Sequence, residues 1–253
     1  MKMLPHALSV FVFVCALSAM VACTPTKDDG RDEAKEFTDY LALGAGYMRN
    51  GEYQRAKEYL NRAQAMKPKS AEVHSLFGLL FQLEGEDALA EDHFKAAIKQ
   101  DPQSTRSRNN YGAFLFSEER YDEAVGQLEV AAKDLYYPGR AQVFENLGVS
   151  YARLGKMKPA EEAFVRAIDL NGGQPRALVE LAEIRFRQRD YVGAKELFER
   201  HIKRASQTPR SLWLGIRIAR IFSEDDAEAS YGLLLRNIFP ASEEYQRYME
   251  SLK

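Results

Sequence analysis

"YLALGAGYMRNGEYQRAKEYLNRAQAMKP" (residues 40–68) and "HSLFGLLFQLEGEDALAEDHFKAAIKQDP" (residues 74–102) are two copies of one pattern. Gly44 aligns with Gly78, Tyr47 with Phe81, Gly51 with Gly85, Ala56 with Ala90, Leu60 with Phe94, Ala63 with Ala97 and Pro68 with Pro102, at an offset of 34 residues throughout. The period and pattern describe a helix–turn–helix unit. The two helices of a unit cross closely only where a small residue stands, which places Gly44 and Ala63 at the crossing. Ala56 is expected to do the same toward the next unit, with Tyr47 and Leu60 filling the remaining gap. The prolines end the second helix, because each lacks the next backbone donor and disfavours helical geometry in the residue before it.

The pattern continues down the chain. A third unit carries Tyr111, Gly112, Leu115, Ala124, Leu128 and Ala131 and ends at "YYPGR" (136–140). A fourth carries Leu147, Gly148, Tyr151, Gly155, Ala160, Phe164 and Ala167 and ends at "NGGQP" (171–175). A fifth has Leu181, Ala182, Tyr191, Ala194 and Phe198, then Pro209. A sixth has Leu214, Gly215, Ala227, Tyr231, Leu234 and Pro240, and "SEEYQRYMESLK" (242–253) reads as a terminal helical cap. The units resemble tetratricopeptide repeats. No unit buries its apolar face alone, whereas stacking buries it continuously and curls the stack. The expected fold is all-α, a right-handed superhelix of six tetratricopeptide units over residues 37–253 with a concave inner face.

The amino terminus reads differently. A basic start at Lys2 and an uncharged apolar run from Ala7 to Ala22 make a secretory signal peptide of residues 1–22. A transmembrane anchor competes with this, since the charge-free stretch reaches Thr26 and a span needs about 20 residues. "MVAC" (20–23) resembles a bacterial lipobox and decides for cleavage after Ala22, although leucine is commoner where Met20 stands. Cys15, preceded by Val14, is a poor rival. The resemblance implies a diacylglycerol on the Cys23 thiol, cleavage after Ala22 and acylation of the amine so freed. Thr24, in place of an aspartate, points to sorting to the outer membrane, facing the periplasm. Polar residues follow, with Pro25 and Gly30, and residues 23–36 read as a tether between lipid and fold.

With Cys15 removed and Cys23 acylated, the mature chain has no thiol for a disulfide or a metal. A formal charge of −2 gives no sign of a nucleic-acid binder. Bases outnumber acids between Arg176 and Arg220, and Glu224, Asp225, Asp226 and Glu228 then reverse the sign; both stretches read as solvated helix surface. His74, His93 and His201 fall on three different expected helices and read as structural. No HExxH motif, paired cysteines or glycine-rich phosphate loop is present, so no metal, no cofactor and no enzyme activity are expected.

"RSRNNYGAFLF" (106–116) places two poor helix formers, Asn109 and Asn110, inside a helix. Counting Gly112 as position eight of its unit makes them positions five and six, and Asn146 is position six of the next unit. Positions two, five, six, nine, twelve and thirteen of the first helix point into the concave face or lie at its edge. Asn110 and Asn146 then form a two-step ladder whose carboxamides can pair with the backbone of an extended peptide. The competing reading is that they bond to each other or to the helix and hold the stack in register. The same numbering puts Leu79, Phe116, Val149 and Phe186 on the inner side, and Arg153 and Arg187 at position thirteen of adjacent units. Together they describe an apolar channel with polar ladders and cationic edges; any one of the apolar residues could equally be core between helices.

"NNYGAFLF" (109–116), "YYPGRAQVFENLG" (136–148) and "RSLWLGIRIAR" (210–220) together resemble the type IV pilus biogenesis lipoproteins of the PilF/PilW kind. The resemblance also takes in the lipobox, "GRDEA" (30–34) before the first unit, the six repeats and the total length. It implies an outer-membrane pilotin, which binds the pilus secretin subunit and supports its placement and multimerisation. Other roles open to a lipidated tetratricopeptide protein are a scaffold in outer-membrane β-barrel assembly and an accessory to peptidoglycan enzymes.

Overall fold

The computed structural model describes residues 29–253. The described residues form thirteen α-helices and no strand: α1 (Asp29–Arg49), α2 (Tyr53–Met66), α3 (Ala71–Glu84), α4 (Asp87–Gln100), α5 (Thr105–Ser117), α6 (Tyr121–Ala131), α7 (Arg140–Arg153), α8 (Met157–Leu170), α9 (Pro175–Arg187), α10 (Tyr191–Ile202), α11 (Pro209–Phe222), α12 (Asp225–Ile238) and α13 (Glu243–Glu250). The signal peptide of residues 1–22, the lipid site at Cys23 and residues 24–28 of the tether lie outside the described residues. Helix α1 starts at Asp29, inside the stretch read as tether; residues 33–36 are exposed and Phe37 is buried. No helix among the described residues is long and apolar enough to cross a membrane.

Consecutive helices pair, α1 with α2 through α11 with α12. Each odd-numbered helix also touches the next odd-numbered helix, from α1 against α3 to α11 against α13, whereas no described even-numbered helix touches another. That asymmetry bends the stack: the odd helices crowd the inside of the curve and the even helices fan out along the outside. The result is an all-α, right-handed superhelix. Helix α13 packs on α11 and α12 and covers the end of the stack.

Within a pair the close approach depends on a missing Cβ. A Cβ added to Gly44 would lie 2.7 Å from Leu60, one on Gly78 2.7 Å from Phe94, one on Gly112 2.7 Å from Leu128 and one on Gly148 2.6 Å from Phe164. The partner of Gly44 is therefore Leu60, with the Ala56 carbonyl oxygen at 3.6 Å, and not Ala63 as the alignment suggested. Helices joined by a short turn bring together residues at similar distances from it, and Ala63 lies a helical turn further along α2. In the fifth unit Ala182 replaces the glycine, and the Phe198 ring there reaches forward, 2.6 Å from where a Cβ on Gly215 of the sixth unit would stand.

The turn after each odd helix needs one left-handed residue. Glycine fills it at Gly51, Gly85 and Gly155, with φ of 75°, 78° and 72°. Glu119, Arg189 and Ser223 adopt φ of 59°, 65° and 57° instead, at a cost of about 1–2 kcal/mol each. The prolines divide in two. Pro68 and Pro102 follow the ends of α2 and α4, but Pro175 and Pro209 open α9 and α11 rather than closing the helix before them. The first helical position has no intrahelical N–H bond to lose, so proline fits there.

Candidate functional site

The odd-numbered helices build the inner face, and every residue singled out for the partner groove lies on α3, α5, α7 or α9. Their roles divide. Asn110 Nδ2 donates to Ser75 Oγ at 3.0 Å, and Asn146 Nδ2 donates to Asn109 Oδ1 at 3.0 Å. Gln142 Nε2 donates to Asn146 Oδ1 at 3.1 Å. The ladder therefore does not join Asn110 to Asn146. Position six of one unit bonds position five of the unit before, because neighbouring odd helices are offset by the superhelical twist. These carboxamides join adjacent units, which is the strut reading of the asparagines.

That geometry sets an expected result. Asn110→Ala together with Asn146→Ala removes two inter-unit bonds, each contributing about 0.5–1.5 kcal/mol, while alanine returns roughly 0.5 kcal/mol of helix propensity at each site. The double variant should lose about 1 kcal/mol in urea denaturation. A gain in stability would show that the amides are not engaged.

The apolar candidates lie deeper than an open channel would have them. Val149 is 4% exposed and packs with Ala160, Phe164, Ala177 and Leu181. Leu79 is half-buried between the first two core clusters. The Phe116 ring is half-buried, 5.3 Å from the Tyr121 ring, with the Arg176 guanidinium 5.2 Å from its centre. Phe186 stands edge-on to Tyr191 at 5.2 Å, and the Arg217 guanidinium lies 4.7 Å from its ring. Val149 and Leu79 are taken into the packing between units, and the Phe116 and Phe186 rings lean on Tyr121 and Tyr191 of the even helices that follow them.

The open part is a depression of about 290 Å³ across α7, α9 and α11. Val149, Ala152, Met157 and Ile184 form its apolar lining, and Arg153, Arg176, Arg187, Arg210, Glu180 and Glu183 its polar lining. Arg210 clamps both carboxylate oxygens of Glu180 at 2.7 Å. Glu183, buried on α9, accepts from Arg187 at 2.9 Å and is bonded by Arg217 from α11. Burial pushes the Glu183 carboxyl upward, and Arg217 and Arg187 more than offset it, holding the group below the usual carboxylate range. Glu145, also buried, accepts from Gln142 at 3.1 Å and from the Ala177 N–H in the first turn of α9 at 2.9 Å. Arg176 and Glu183 were not among the candidate residues, although the repeat numbering puts them at inner positions two and nine of the fifth unit. Arg210 and Arg217 gave no such signal.

The histidines are structural contacts. His74 and His93 meet through their Nδ1 atoms at 3.2 Å, and burial lowers the pKa of both. The buried His201 Nδ1–H donates to the Pro175 carbonyl at 2.8 Å. Among the described residues no three His, Cys, Asp or Glu side chains converge as a metal site.

The tetratricopeptide repeat model matches this chain over residues 41–105, 88–138, 115–175 and 145–209. The chain is 38% identical over 247 residues to the type IV pilus assembly protein PilF of Pseudomonas aeruginosa, covering 96% of this chain and 97% of that one. It is 24% identical to an uncharacterized protein of Haemophilus influenzae over 172 residues, 68% of this chain and 94% of the other. The solved structure of Pseudomonas aeruginosa PilF superposes with a TM-score of 0.83 at 37% identity, covering 87% of this chain and 99% of that chain. PilW, described as a widely conserved type IV pilus biogenesis factor, superposes with a TM-score of 0.71 at 26% identity, covering 84% and 98%.

Proposed function

We propose, from the premise that this chain belongs to the PilF/PilW family of tetratricopeptide proteins of type IV pilus biogenesis, that it is the pilotin of a type IV pilus secretin. In this reading it is a lipoprotein of the outer membrane, acylated at Cys23 and facing the periplasm. The observation that carries the reading is likeness to PilF from end to end, 38% identity across 96% of the chain. Repeats alone would support only a partner-binding module.

The lipid draws the stack to the outer membrane. Each buried methylene adds about 0.8 kcal/mol, and a stable anchor takes more than one acyl chain. The inner face holds an extended segment of a secretin subunit, so the subunit arrives with its carrier and the ring assembles at the correct membrane. The task needs a rigid curved surface and no reacting group.

Deletion of the gene is the test. Secretin multimers on denaturing gels are expected to fall to background and twitching to stop. The wild-type gene restores both. Cys23→Ala does not, and it loses metabolic fatty-acid labelling. Unchanged multimers in the deletion strain would refute the proposal. Recovery of barrel-assembly proteins or peptidoglycan enzymes in place of secretin in a cross-linked pull-down would assign the chain to one of those scaffolding roles.

A further inference from the structure

We infer that the depression between α7, α9 and α11 is a subsite for carboxylate side chains of an extended acidic segment of a protein partner. The inference rests on the proposed partner-binding role only in taking the occupant to be a protein.

Charge in the depression is unequal. Four arginines and two glutamates line the depression. Glu180 is matched by the fork of Arg210, and Glu183 is matched by Arg217, with Arg187 as a second, largely exposed donor. Arg153 and Arg176 have no carboxylate partner among the described residues. Arg153 is exposed, and Arg176 is held over the Phe116 ring. The basic excess between Arg176 and Arg220, which reads as solvated surface along the sequence, is thus partly gathered at one place.

The chemistry of the lining narrows the occupant. A guanidinium pairs with a carboxylate through two parallel N–H bonds, and a stacked arginine keeps its planar fork oriented. Apolar groups in the lining, the buried Val149, the half-buried Ile184 and the exposed Met157 at the start of α8, suit the methylene stems of glutamates or intervening apolar residues. Glu180 and Glu183 stand among the arginines, and a patch of mixed sign suits an extended peptide better than the uniformly negative surface of an anionic bilayer. The whole chain carries a formal charge of −2, so a long nucleic acid gains little net electrostatic attraction from it.

The test uses the full chain purified in a non-ionic detergent. The probe is a fluorescein-labelled twelve-residue peptide with blocked ends and glutamate alternating with serine. Its control has glutamine for glutamate. The glutamate peptide is expected to bind at least about 10-fold more tightly at low ionic strength, with the difference shrinking as salt is added. Arg153→Glu, at an exposed position without a bond, should remove most of that preference. Arg153→Gln with Arg176→Gln should lower affinity about 10-fold, each surface pair contributing up to about 1 kcal/mol. Melting curves identify any variant that loses affinity through unfolding, and Arg236→Gln on the exposed side of α12 serves as the control that binds normally.

Equal affinity for the two peptides would overturn the inference. So would undiminished binding by the Arg153→Glu protein. Tighter competition by oligothymidine or by phosphatidylglycerol vesicles would assign the patch to a different polyanion. Binding that needs a free peptide C-terminus would make the source the terminal carboxylate, not side chains. None of these outcomes depends on secretin multimers in the deletion strain, so the two proposals can fail separately.

Discussion

Phe164→Ala is expected to destabilise the protein by about 3–5 kcal/mol, the range for a phenylalanine removed from a well-packed core. Phe164 is 0% exposed and packs with Val149, Ala160, Ala167, Ala177 and Leu181. Its ring fills the space that Gly148 leaves open, where an added Cβ would stand 2.6 Å from the ring carbons. Helices α7 and α8 are held at that spacing along their length, so they cannot close over the void. The adjacent units share the loss, because Ala177 and Leu181 of α9 belong to the same cluster. A stack depends on each interface in turn, so urea unfolding should separate into two transitions, split near the fourth unit. The reciprocal change, Gly148→Ala, forces the ring to shift and should cost about 1–3 kcal/mol. Gly148→Ala combined with Phe164→Leu should cost less than the sum of the single changes, as the smaller side chain makes room for the methyl. Strict additivity would mean that the two residues do not share one space.

Arg217→Met is the second large effect, expected at about 3 kcal/mol at neutral pH. Removing one partner of a buried ion pair costs about 3–5 kcal/mol, since the other charge stays buried. The low end applies because Arg187 still reaches Glu183, at 2.9 Å, from a position that is itself 69% exposed. Arg217 also lies between the Phe186 and Trp213 rings, at 4.7 Å and 5.8 Å, so methionine keeps some of the packing and none of the charge. The pH dependence follows from the direction of the Glu183 shift. The folded carboxyl titrates below its unfolded value, so its contribution is complete above the unfolded value and is lost as pH falls through the folded one. In the variant, burial is no longer offset by Arg217, and a protonated Glu183 needs no cation. The deficit against wild type should therefore be largest at neutral pH and shrink as the pH falls through the carboxylate range to about 3. Glu183→Gln added to Arg217→Met should recover most of the loss. A deficit of equal size at both pH values would show that packing against the rings, and not the charge, is what Arg217 supplies.

These two residues differ in how far the chain announces them. Phe164 is visible in the repeat, aligned with Leu60, Phe94 and Leu128. Glu183 falls at inner position nine of its unit, but nothing in the sequence ties it to Arg217. The asparagines lie between these cases. Their conflict with helix propensity marked them, and their place on the inner face followed from counting. The bonds that explain them, to Ser75 and between Asn146 and Asn109, cross from one unit to the next.

The sequence by itself determined the helix pairs, the glycine positions at the crossings of the first four and the all-α superhelix. Those contacts join residues within one helix–turn–helix unit, as Gly148 and Phe164 are, and a repeated pattern reports such contacts directly. Signals at the chain's start, the run to Ala22 and the cysteine at 23, are also local and carry the anchor reading unaided. Only the tertiary structure decided which inner residues remain open, that Val149 is buried between α7, α8 and α9, and that Arg153 and Arg176 stand in one depression without a carboxylate partner among the described residues. Those facts depend on the twist and curvature between units. Curvature is a sum over every packed interface, and no single repeat encodes it.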